Sequence, residues 1–306
     1  RQALINGLAL EQQGITNPFK FGLVAASDTH VAASSDQEET YFSKVGIIDG
    51  EPMGRGSIPV SFLFGTAMKF VDPQMVKEVE GRNYVSSFGF ESWSASGIAG
   101  VWAEENTRDA IYDAFRRKET FATTGPRIKV RFFASNDFED GIIEDSALVA
   151  KAYQQGVAMG GELTSDGSAP EFIVWGSGDA VGTALQRVQV IKGYVENGKA
   201  IEKIYDVACS DGATPNSDTH RCPDNGARVD LTDCSITAGV GDQELLTQWT
   251  DPNYDAEIDA FYYVRVLENP TCRWSTWDAL REGVEPRADL EKTIQERAWS
   301  SPIWVR

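Results

Sequence analysis

Apolar and polar positions change rhythm near residue 120. Mixed helical and continuous apolar runs precede that point, and two-residue alternation dominates after it. Residues 2–13 carry a helical pattern that Gly14 stops. After Asn17-Pro18, the apolar run 21–26 (Phe-Gly-Leu-Val-Ala-Ala) predicts a buried strand closing on Ser27-Asp28-Thr29-His30. Helix, turn and strand make one αβ unit of an α/β layer or barrel; one unit cannot close a barrel, so the rest is expected upstream. The stretch 31–90, rich in Gly, Ser, Met and Phe without clean periodicity, predicts a long excursion over the mouth of a site, a candidate lid. Residues 106–118 predict the clearest helix, capped by Asn106 or Thr107, with Ala110, Ile111, Ala114 and Phe115 on one face.

Strand grammar follows. Phe121 to Pro126 runs into a turn, 128–133 alternates, and 171–175 and 261–267 are strongly apolar. Asn197-Gly198 separates two long β patterns and predicts a hairpin. The expected organisation is α/β plus β: an α/β unit with its excursion over 1–125, then a mainly antiparallel, β-sandwich-like domain over 126–306.

Composition adds constraints. Charged residues make up 24% of the 306 positions and the net charge is −18, a field that disfavours nucleic acid and anionic membranes as partners. The longest apolar candidate for a membrane span, Ile58 to Val71, is broken by Ser61, Gly65, Thr66 and Lys69. The chain opens at Arg1 inside a helical pattern, without an initiator Met or a signal peptide, and the expectation is that a preceding segment exists. All four Cys lie in the last third at irregular spacing, which favours disulfides over zinc and a periplasmic or secreted location; reduced thiols in a cytoplasmic chain are the alternative. Of the three connectivities, Cys209–Cys222 with Cys234–Cys272 is favoured, the first closing a short polar loop.

The candidate chemistry centres on Asp28 and His30. Residues i and i+2 of a strand point the same way, so a carboxylate and an imidazole would converge as ligands of a divalent metal (Zn, Mn, Fe or Ca). Asp28 would also orient or deprotonate a metal-bound water, with Ser27 in support. Arg55, Trp93, Glu104, Glu105, Asn106 and Arg108 are candidates for substrate contact or site support. Each has a plainer reading: a solvated loop charge for Arg55, packing for Trp93, helix-dipole complementarity for the glutamates. Arg127 would clamp an anion or pair with a structural carboxylate. The second Ser-Asp-Thr-His, 217–220, has no apolar strand before it and reads as a loop near a disulfide. Asp211, Asp218, Asp224 and Asp230 do not follow the EF-hand calcium spacing.

The run 21–26 with Ser27-Asp28-Thr29-His30 resembles the closing motif of the PHP (polymerase and histidinol phosphatase) metallohydrolases. A longer resemblance, to a large bacterial family of uncharacterised proteins related to PHP enzymes, covers essentially the whole chain. It is carried by Asn17 to Leu23, Val101 to Arg108, Ala122 to Ile128, Arg221 to Ala227, Phe261 to Trp277 and Gln295 to Trp304. This resemblance implies the closing unit of a PHP-like distorted (β/α) barrel, with Asp28 and His30 as metal ligands. It also implies an exported protein and a missing amino-terminal half that holds the remaining ligands. The function expected is a secreted metal-dependent hydrolase of phosphate or other esters, with a small-molecule or glycan substrate. The alternative is a secreted glycan- or partner-binding module with a vestigial metal site, a reading that exposed Trp platforms would favour.

Overall fold

The computed structural model describes residues 1–32 and 35–306. In chain order the elements are α1 (Gln2–Glu11), α2 (Phe62–Val71), β1 (Val76–Val79), β2 (Arg82–Val85), β3 (Ile98–Val101), α3 (Arg108–Arg117) and β4 (Thr120–Thr123). Next come β5 (Lys129–Ser135), α4 (Leu148–Gln155), β6 (Val157–Ala158), β7 (Glu162–Leu163), β8 (Glu171–Ser177), β9 (Leu185–Glu196) and β10 (Lys199–Cys209). The last are β11 (Glu244–Thr250), β12 (Ala260–Glu268), β13 (Thr271–Cys272), α5 (Trp274–Arg281), β14 (Thr293–Ile294), β15 (Arg297–Ser300) and β16 (Ile303–Val305).

Two sheets face each other. The larger runs β10-β9-β12-β15-β4-β3, with β16 also on β12 and β7 parallel to β16; the smaller runs β11-β8-β5-β6. Between them Val130, Phe132, Phe172 and Val174 meet Val188, Val190, Tyr262, Val264 and Val266. The odd-numbered Phe261 and Tyr263 point to the other face, where α1 covers them with Leu4, Ile5 and Leu8. Both faces of β12 are therefore buried, which its near-continuous apolar run anticipates. On the far side α4 seals the smaller sheet, Leu148 and Ala152 packing with Phe133 and Ile173.

Local chemistry explains the elements that sequence predicts well. Thr107 caps α3, its side chain accepting from the Ala110 N–H at 3.3 Å, and Lys118 ends the helix in a left-handed conformation. Asn197 (φ 51°) and Gly198 (φ 73°) supply the two left-handed residues of a tight β9–β10 hairpin. The disulfides are Cys209–Cys222 and Cys234–Cys272, the favoured pairing, and they accord with an oxidising compartment.

Other expectations change. The run 21–26 is neither buried nor part of a ladder, with Phe21 40% and Val24 54% exposed, and no closed barrel forms among the described residues. Its main chain is held by a side chain instead, the Leu23 N–H donating to Ser301 Oγ at 2.8 Å. The ladder of the larger sheet continues across position 125, because β3 and β4 join β12 through β15. The excursion 31–90 contains α2 and the β1–β2 hairpin. Helix α2 is apolar yet solvent-facing, with Leu63 81% and Phe70 92% exposed. Among the described residues no helix is long and apolar enough to cross a membrane.

One polar cluster sits inside the sandwich. Lys192 Nζ lies 2.5 Å from Asp251 Oδ2, both side chains nearly sealed from solvent, and Tyr262 donates to the same oxygen at 2.8 Å. Burial and the Asp251 charge push the Tyr262 phenol far above its usual range, so it remains a donor. Removing one partner of such a pair leaves an uncompensated charge. Asp251→Ala is therefore expected to cost about 3–5 kcal/mol in urea unfolding, whereas a loss below about 1 kcal/mol would show that the cluster is not stabilised as a unit.

Candidate functional site

Segment 21–30 reaches its position because Gly22 lies against β4, where a Cβ would stand 2.8 Å from Thr120 Oγ1. Asp28 then takes φ 51°, which breaks the alternation that was to align it with His30. The two residues instead leave the segment on an exposed turn. Ser27 Oγ accepts from the Thr29 N–H at 3.2 Å and shapes that turn.

Asp28 has a partner. Lys44 Nζ lies 2.7 Å from Asp28 Oδ2, and the same ammonium stands 4.4 Å from the centroid of the Trp93 ring. The Lys44 hydrogen bond and charge hold the exposed Asp28 carboxyl below its ordinary value. The Lys44 carbonyl also accepts from the His30 N–H at 2.7 Å, so this loop is tied to the turn by main chain and side chain.

The loop is fixed by buried polar groups. Asp49 accepts from the N–H groups of Lys44, Val45 and Gly46 and from Ser43 Oγ, at 2.7–3.0 Å. Burial opposes the Asp49 charge, but these donors outweigh it and lower the carboxyl's pKa. Arg55 is neither a solvated loop charge nor free to meet a substrate. It is 5% exposed, makes a two-pronged pair with Asp278 (2.8 and 2.6 Å), and donates to the carbonyls of Phe42, Asp49 and Gly50. Trp93 is held in turn, its carbonyl accepting from Arg273 and from the Trp274 indole at 2.8 Å.

The other predicted residues lie elsewhere. Ala25 and Ala26 approach Gly97, just before the start of β3, whereas Glu104, Glu105, Asn106 and Arg108 follow its far end at Val101. There Glu104 pairs with Arg117 at 3.1 Å and Glu105 accepts from Thr107. Arg127 meets carboxylates: its guanidinium lies 3.1 Å from Asp36, and its N–H donates to Asp179 at 2.7 Å. Trp274 and Trp304 are buried and the other six Trp are half-buried, with Trp102 and Trp175 lining a cleft of about 190 Å³ beside Arg131. Among the described residues no group of three or more His, Cys, Asp and Glu is placed to hold a metal ion. Asp28 and His30 are thus a carboxylate and an imidazole of suitable chemistry, but only two donors.

A second constellation was not anticipated. A cavity of about 340 Å³ opens between residues 36–39, the 179–183 turn and Trp277, with the Cys234–Cys272 bridge in its wall. Glu268 and Glu296 line it while only 1% and 5% exposed. Burial first, then neighbouring carboxylates, pushes Glu268 up to about 8 and Glu296 up to about 7. Strand parity carried a signal for both. Glu268 continues the inward series Tyr262, Val264, Val266, and Glu296 shares the buried parity of Ala298 and Ser300.

The sequence profile of the family described as Protein of unknown function (DUF3604) matches residues 1–306. No curated protein matches the chain.

The buried glutamates set a pH dependence. With folded values above the ordinary 4.5, the native state keeps protons that the unfolded chain releases, so their contribution is present at low pH and lost as pH rises towards 8. Urea unfolding is expected to show stability falling between about pH 5 and about pH 8 by several kcal/mol. Glu268→Gln should roughly halve that slope. A wild-type stability that rises over the same interval would contradict the assignment.

Proposed function

The chain belongs to the DUF3604 family along its whole length, and we propose that it is the carboxy-terminal portion of a secreted, PHP-like metal-dependent hydrolase of phosphate or other esters. The observation that carries this reading is the ladder-free segment 21–27 ending on Asp28-x-His30. Beside it lies a cleft of about 490 Å³ lined by Leu23, Val24, Tyr263 and Trp299 together with Arg1 and Arg265. Backbone outside any ladder next to this cleft suits the docking of a further strand, and the solvent-facing apolar side chains of α2 add a surface in need of cover. In this reading an amino-terminal portion of the same polypeptide supplies both and completes the ligand set.

The chemistry of the donors supports a cation at the turn. Asp28 already accepts an ammonium at 2.7 Å, and an exposed imidazole two residues on offers a nitrogen donor. A divalent metal, when bound, lowers the pKa of a coordinated water and polarises the ester oxygen. Asp28 would bind and take up a proton from the nucleophile, His30 would bind as the neutral base, and the Trp93 ring would hold Lys44 when it withdraws from Asp28.

In the polypeptide that carries the amino-terminal portion, Asp28→Ala and His30→Ala are each expected to lose at least half of the bound metal by elemental mass spectrometry. Hydrolysis of p-nitrophenyl phosphate or acetate should fall at least about 100-fold. Both side chains are exposed, so thermal melting should move little. Variants with wild-type metal content and turnover would refute the ligand assignment.

A further inference from the structure

The cavity of Glu268 and Glu296 has a chemical specificity of its own. It is lined by six carboxylate residues, Asp36, Glu38, Glu39, Asp179, Glu268 and Glu296, and by no Lys or Arg. Three of these carboxylates are occupied by the fold. Glu38 accepts the N–H groups of Ala95 and Trp274, Asp179 accepts those of Val181 and Arg127, and Asp36 pairs with the Arg127 guanidinium. The two deepest are half-used. Glu268 Oε2 accepts from Thr183 Oγ1 at 3.2 Å and Glu296 Oε2 from Thr124 Oγ1, while Oε1 of each is buried and has no hydrogen-bond partner among the described residues. Each carboxyl is thereby anchored by one oxygen with the other left over.

We propose that this cavity binds an organic cation bearing N–H donors, an alkylammonium or guanidinium group, seated on Glu268 Oε1 and Glu296 Oε1. A buried acceptor without a donor is costly, and two of them in one cavity call for a ligand that donates. The surrounding carboxylates exclude anions and favour positive charge over a neutral polyol. A bare metal ion is disfavoured because the described residues bring no three metal-binding side chains together. Val181, Ile236, Pro126, Trp277 and the disulfide supply apolar walls for the carbon skeleton of such a ligand.

Binding is coupled to protons. Glu268 faces Glu296 and Asp179, Glu296 faces Glu38 and Arg297, and without a cation these groups keep protons on the pair near neutral pH. A cation between them favours the charged carboxylates and expels those protons. The ligand is either a free amine or a Lys or Arg side chain of a peptide, and the two sources differ in what they need beyond the charged head.

Isothermal titration calorimetry on the full chain tests the proposal near neutral pH, with butylammonium, butylguanidinium and acetyl-Gly-Lys-Gly-amide in buffers of different ionisation enthalpy. At least one probe should bind with a Kd of about 1 mM or tighter and release up to about one proton. Glu268→Gln and Glu296→Gln should each weaken binding at least about tenfold and reduce the release. Equal affinity for butylammonium and the peptide identifies a free amine, and binding of the peptide alone identifies a side chain. Absence of binding by all three probes at about 10 mM overturns the proposal, as does sorbitol or calcium binding more tightly than the cations. If the variants fail to fold, the wild type decides, because a binding heat independent of buffer ionisation means that the carboxyl pair is not the seat.

Discussion

The buried pair of Arg55 and Asp278 fastens the 31–90 excursion to helix α5. The 31–90 excursion buries Tyr41, Val60, Val76, Tyr84, Val85 and Phe90, while its helix α2 turns its large residues to solvent. Buried polar contacts add to that packing. Arg55 spends its donors on Asp278 and three carbonyls, Asp278 also accepts from Ser57 at 2.6 Å, and Arg287 reaches the Gly56 carbonyl at 3.0 Å. Glu38 extends the same strategy by accepting from Ala95 and Trp274. Desolvating these charges is expensive unless every lone pair and proton is matched, so the arrangement tolerates little distortion. The loop that presents Lys44 to Asp28 inherits its position from it.

Much of the fold was legible because local and global preferences agree. The hairpin at Asn197-Gly198, helix α3 and strands β8 and β12 each combine a strong periodicity with a matching turn or cap. The pairing of the four Cys followed the same logic for the short polar loop. Segment 21–26 was misread on both counts: no residue of the run is buried, Phe21 and Val24 being exposed, and its Leu23 N–H goes to the Ser301 side chain and not to a neighbouring strand. Arg55 was misread for a different reason: flanking glycines suggest an open loop, while the Asp278 that buries the guanidinium lies more than two hundred residues away in sequence. Glu268 and Glu296 were overlooked although both fall in segments that carried the family resemblance. Parity along their strands marked them as inward, but a glutamate at a strand end ordinarily reads as solvated.

The two constellations use carboxylates in opposite ways. At Asp28 an exposed carboxylate is stabilised as an anion by a single ammonium, in a medium that screens it readily. At Glu268 and Glu296 the protein withdraws solvent and surrounds acid with acid, so the neutral form is favoured. The acidity of the whole chain serves the second arrangement more than the first, because a −18 surface deepens the negative field of a cleft lined by carboxylates. One site is a place for exchange with solvent, and the other stores unsatisfied acceptors inside the fold.

The Cys234–Cys272 bridge closes a covalent ring that contains β11 of the smaller sheet and β12 of the larger. The ring therefore passes through both layers of the sandwich. When the core melts, the layers cannot drift apart as two free chains would, since an edge strand of one and an interior strand of the other remain on one loop. The oxidised protein consequently unfolds into a compact ensemble that exposes less surface than the reduced one, and denaturant gains less leverage on it per mole.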